Sequence, residues 1–106
     1  MSLSTHVLDA TTGAPAAGVT VTLADRLGEP LTVATTDDDG RVVQLGGDLP
    51  AGVYRLHFDT GAYFAALDVA TFYPEVVVAF EITDAGAKHH VPVLLSPYAY
   101  STYRGS

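Results

Sequence analysis

The chain has no cysteine among its 106 residues. That excludes disulfides, thiol nucleophiles and thiolate metal sites, and it fits a reducing setting, so a cytoplasmic location is expected. Basic residues are scarce. Five Lys and Arg stand against twelve Asp and Glu, for a formal net charge of −7, and Lys88 is the only lysine. With no basic stripe, neither nucleic acid nor an anionic membrane surface is an expected partner. No apolar run approaches the roughly 20 residues that a membrane-spanning helix needs. The opening Met1-Ser2-Leu3-Ser4-Thr5-His6 lacks the basic patch and apolar run of a secretion signal, so none is expected.

What the chain does have is apolar residues, at 48% against 16% charged. One small core is not expected to hide them all, so part of the apolar surface is expected to lie between subunits. The length suits one domain over residues 1–106.

Short alternating runs separated by turn residues point to an all-β sandwich. Leu3, Thr5 and Val7 alternate with Ser4, His6 and Leu8, and the run stops at Asp9. Thr11 to Pro15 reads as a turn. Val19, Val21 and Leu23 mark a second strand, and Leu31 to Thr35 a third. Asp37-Asp38-Asp39-Gly40 is a strong turn signal, because Asp and Gly tolerate left-handed backbone angles. Further strands are expected over Arg41–Leu45, Val53–Phe58, Glu75–Thr83, His89–Leu95 and Tyr98–Tyr103. Thr60–Leu67 is the one helix candidate, with Thr60 as its cap and Ala62, Ala65 and Ala66 as helix formers. Seven or eight strands and one short helix fit two packed antiparallel sheets. Pro92 has no N–H to give a ladder, so an edge position or a bulge is expected there.

The chain has four histidines. Strand alternation separates them. If Val91, Val93 and Leu95 face the core, His90, Pro92 and Leu94 face outward, and if Val7 faces the core, His6 does not. His57 and His89 read as structural. Two outward histidines without a third ligand do not make a zinc site, so no metal is expected, and acid–base chemistry is the better use of them. The tail Ser101-Thr102-Tyr103-Arg104-Gly105-Ser106 continues the aromatic run of Tyr98 and Tyr100, which suggests packing to the last residue. An ordered tail would bring a guanidinium, a hydroxyl and a terminal carboxylate to a site.

Several segments together resemble the 5-hydroxyisourate hydrolase family. They are His6-Val7-Leu8-Asp9, Thr60-Gly61-Ala62-Tyr63-Phe64, Phe72-Tyr73-Pro74-Glu75-Val76, His90-Val91-Pro92-Val93-Leu94-Leu95-Ser96-Pro97 and the closing Tyr103-Arg104-Gly105-Ser106. The last is the most specific. Transthyretin, a carrier of the same fold, is similar at Val7-Leu8-Asp9 and Leu94-Leu95-Ser96-Pro97 but lacks that ending and both histidines.

The resemblance implies a transthyretin-like sandwich of two four-stranded sheets. It also implies a homotetramer with active sites at the dimer–dimer interface, and no cofactor. The small-molecule substrate it implies is 5-hydroxyisourate, whose ring amide is opened in urate breakdown. His6, Arg41, His90 and Ser106 correspond to the catalytic set, and Tyr103, Arg104 and Gly105 shape the pocket. Either histidine suits the role of base. Arg41 is the member that residue patterns alone do not single out, since an arginine after Asp-Gly is usually a solvated turn residue. Two other readings stand beside this one: a carrier of an aromatic ligand, and a structural sandwich module of a larger assembly.

Overall fold

The computed structural model describes residues 2–106. Alternation along the first strand, β1 (Ser2–Asp9), sets the pattern for the rest. Leu3 and Val7 are buried, and so is Thr5, whose hydroxyl donates to the Val91 carbonyl at 2.6 Å. The hydroxyl thus enters the core with its hydrogen bond already satisfied. Ser4, His6 and Leu8 point to the other face and are only half-buried.

The remaining strands are β2 (Ala14–Pro15), β3 (Thr20–Asp25), β4 (Pro30–Thr35), β5 (Arg41–Val42), β6 (Gly52–Phe58), β7 (Val76–Ile82), β8 (Lys88–Ser96) and β9 (Ala99–Thr102). They form two sheets. One runs β2-β1-β8-β9, with β5 also on β1, and the other runs β4-β3-β6-β7. The core between them includes Val21, Leu23, Leu56, Phe58, Val76, Ile82, Val93 and Leu95. A chain of this size depends on such a layer, since each large apolar side chain contributes about 1.5–3 kcal/mol when fully buried.

The all-β, two-sheet expectation holds, with differences of detail. The first sheet has five strands rather than four, because the segment read as a turn supplies β2. That sheet is mixed, since β1 and β8 run parallel over their shared length. One edge of β1 is therefore filled by β8, and the other is patched by short segments in turn. Ala14–Pro15 pairs at its end, Gly40 accepts from Val7 N at 2.7 Å, β5 pairs at Thr5 and His6, and Leu45 N donates to the Leu3 carbonyl at 2.8 Å. This patching explains why the strand expected over Arg41–Leu45 stops after two residues while Leu45 is still buried.

The helix α1 (Thr60–Ala66) is capped by Asp59, not Thr60. The Asp59 carboxylate accepts from Ala62 N at 3.4 Å. Thr60 is one residue inside, buried, with its hydroxyl oxygen unpartnered. Phe64 anchors the helix in the core, and the Tyr63 hydroxyl donates to the buried Asp9 carboxylate at 2.8 Å. Burial, with the bond and charge of Asp9, pushes the Tyr63 phenol up to about 12. No helix among the described residues is long and apolar enough to cross a membrane.

Pro92 corrects the expectation of an edge or a bulge. It lies in an inner strand, paired with His6 of β1 on one side. On the other side the ladder to β9 begins only at Val93↔Thr102, then resumes at a bridge between His90 and Gly105. Each strand skips two residues, so the register is unshifted and there is no bulge. The lost ladder bond is replaced in part by the Thr102 hydroxyl, which donates to the Pro92 carbonyl at 2.8 Å.

Candidate active site

The outer face of the five-stranded sheet gathers the candidate residues. Parallel pairing of β1 with β8 places Ser4 opposite His90 and His6 opposite Pro92. Antiparallel pairing with β5 places Arg41 opposite His6. The Asp37 turn delivers that arginine. The Asp37 carboxylate accepts from the backbone N of both Asp39 and Arg41 at 2.9 Å, and Gly40 N donates back to the Asp37 carbonyl. Gly40 has φ of 75° and is buried, and a Cβ there would run into the Val7 carbonyl. Only glycine lets the turn lie this close to β1. Sequence patterning gives Arg41 no distinction because what singles it out is this contact between segments.

The tail is held in place. Gly105 N donates to the His90 carbonyl at 2.8 Å. A cavity of about 470 Å³ is lined by Ser4, Arg41, Gln44, Lys88, His90 and Ser106, among others. A second, of about 320 Å³, is lined by His90, Tyr103 and Arg104 together with residues of β7. His90 borders both. His6 is in the wall of neither, but shares the outer face of β1 with Ser4 and lies opposite Arg41 in register. Ser4, Gln44 and Lys88 are cavity residues that sequence reasoning passed over. Ser4 and Lys88 share the outer-facing alternation of His6 and His90, which was the available signal.

Electrostatics tie three of these residues together. His90 is held below the ordinary imidazole value, first by burial and then by the neighbouring Arg41 and His6, which disfavour a second cation there. Its Nδ1 is bonded to the Ser4 hydroxyl at 2.8 Å. The result is a neutral imidazole beside a guanidinium, a pairing suited to taking a proton while a cation faces a developing oxyanion. The other two histidines stand apart. His89 is buried with Nδ1 3.1 Å from the Ala87 carbonyl, and His57 pairs with Glu75 at 2.7 Å on the opposite sheet. Among the described residues, no group of three or more His, Cys, Asp or Glu is gathered as a metal site would need.

The family model of the HIUase/Transthyretin family matches residues 3–105. The chain belongs to this family. Within it, the chain is 46% identical over 109 residues to the 5-hydroxyisourate hydrolase of Salmonella dublin, covering 98% of this chain and 80% of that protein. It is 44% identical over 115 residues to a probable 5-hydroxyisourate hydrolase of Schizosaccharomyces pombe, covering 99% and 91%. The solved structure of Klebsiella pneumoniae 5-hydroxyisourate hydrolase superposes with a TM-score of 0.93 at 42% identity, covering 100% of both chains. These family members carry a hydrolase name, and none of the three supports the carrier reading.

Proposed function

We propose that this protein, as one domain over residues 1–106, hydrolyses 5-hydroxyisourate to 2-oxo-4-hydroxy-4-carboxy-5-ureidoimidazoline in urate degradation. The carrying observation is the meeting of His90, Arg41 and Ser106 at one cavity, in a chain whose relatives bear that activity's name. Water attacks the ring carbonyl while neutral His90 takes its proton, a contribution of about 10²–10⁴-fold for a placed base. Arg41 faces the oxygen that becomes the oxyanion, and Arg104 binds a substrate oxygen from the other side of His90. Collapse of the tetrahedral intermediate breaks the carbon–nitrogen bond, the proton passes to the leaving nitrogen, and His6 shares in that transfer. Tyr103 and Gly105 shape the pocket, and Ser106 bonds substrate through its hydroxyl or carboxylate. The chemistry needs no covalent intermediate and no cofactor.

The same reading assigns the protein to the cytoplasm and to a homotetramer whose sites lie at the dimer–dimer interface. The test is to mix it with freshly generated 5-hydroxyisourate and follow the ultraviolet decay. The expected outcome is decay far faster than in buffer, and loss of that acceleration in H90Q. Decay at the buffer rate would overturn the proposal.

A further inference from the structure

We infer that Ser4 is a positioning residue that fixes His90 in a single tautomer, with the proton on Nδ1 and the lone pair of Nε2 turned to substrate. The inference rests on the hydrolase reading for which nitrogen is bare and on geometry for the contact that holds the ring. Ser4 and His90 are register partners across the parallel β1–β8 ladder, so their side chains leave the sheet on the same face, side by side. Ser4 Oγ is 2.8 Å from His90 Nδ1 and is half-buried with it. Among the described residues Nε2 has no hydrogen-bond partner. The ring is also pinned from its other side, where Gly105 packs against Cδ2 and Cγ closely enough that a Cβ would collide.

The direction of the Ser4 bond follows from the role proposed for His90. A serine hydroxyl both donates and accepts. With neutral His90 as the base, its unpartnered Nε2 is the bare nitrogen, so Nδ1 carries the proton and the Ser4 hydroxyl accepts it. In free imidazole the proton is shared between the nitrogens. Here Nδ1 has the Ser4 hydroxyl beside it and Nε2 has no partner among the described residues, so Nε2 is left as the base. The hydroxyl touches neither the reacting carbonyl nor the water. Its action on the reaction runs through His90 alone.

The experiment uses full-length protein labelled with ¹⁵N at histidine, with His90 assigned from the signals missing in H90Q. Ring nitrogen shifts and kcat are measured for the native chain, S4A and S4T. In the native chain, His90 Nδ1 is expected in the protonated range and Nε2 in the bare range at neutral pH. S4A should move both shifts toward the averaged values of mixed tautomers and lower kcat by about 10-fold or more with KM little changed. S4T, which keeps a hydroxyl, should restore both readings. Unchanged ring shifts in S4A, or a native spectrum with the proton on Nε2, would overturn the assignment. A folded native chain that shows the Nδ1–H signature without turning over 5-hydroxyisourate would strike the hydrolase reading and leave the Ser4–His90 relation standing.

Discussion

Gly105 lies against the ring of His90, and there is no room between them for a methyl group. A Cβ on Gly105 would meet ring atoms Cδ2 and Cγ and come within 3.2 Å of Pro92 Cγ. The same glycine donates its N–H to the His90 carbonyl. One residue thus sets both the backbone and the ring of the proposed base. In G105A the ring is the part that can yield, so the imidazole swings away from its position. A displacement of about 1 Å at a reacting group costs about 10²-fold in rate. The expectation is a kcat lowered by about that factor with a thermal midpoint close to native, because no core residue changes. A G105A enzyme of full activity would show that the contact is irrelevant to the reaction.

The His90 environment fixes the sign of a pH effect. Its pKa lies below the ordinary imidazole value of about 6.5 because burial, Arg41 and His6 all disfavour the cation. Between those two values the folded chain binds fewer protons at this residue than the unfolded chain does. The residue's contribution to stability is therefore present above about 6.5 and is lost as pH falls through the folded value. Activity that depends on neutral His90 should persist as pH drops through 6.5 and fall only below it. NMR titration should also show the His90 midpoint rising toward the ordinary value in R41Q, where one opposing charge is gone. A native midpoint at or above 6.5 would contradict this account.

The last three residues are expected to serve the site and not the fold. Ser106 borders the cavity with Arg41, and Arg104 borders the neighbouring one, while none of the three belongs to the buried core. Ending the chain at Tyr103 should lower the hydrolysis rate by about 10²-fold or more if one oxyanion donor is lost. The thermal midpoint should change little. Full activity of the shortened chain would refute the assignment of Arg104 and Ser106.

Assembly is the fourth expectation. Val43, beside Arg41 and His90 at the candidate site, is an apolar group at 74% of its full exposure, and Tyr103, at the neighbouring cavity, stands at 58%. Leu8 and Leu94 lie half-buried on the outer face of the five-stranded sheet that also carries His6 and His90. Surface of this kind beside a functional cleft is usually covered by another subunit. Light scattering at micromolar concentration is expected to give four times the chain mass, and a monomeric mass would remove the proposed interface.

Sequence alone determined the period-two faces and the turns. Val21, Leu23, Val91, Val93 and Leu95 are spaced two apart and all buried, because a strand gives every second residue to the core, and that constraint is local. The same alternation put His6 and His90 on an outer face, and the Asp37–Gly40 signal marked the turn before Arg41. The Thr60 cap failed because Asp and Thr are both good caps and one residue of register separates them; burial of Thr60, a tertiary fact, left the role to Asp59. Pro92 failed as an edge marker because a proline needs only an unclaimed partner position, and the interrupted ladder between Val93 and His90 provides one inside the sheet. The parallel pairing of β1 with β8, which brings Ser4 to His90 across 86 residues of chain, was decided only by the tertiary structure. So was the seating of Gly105 against that ring. Strand faces are set by neighbours along the chain, but which strand lies beside which, and in what register, is set by the burial of both sheets at once.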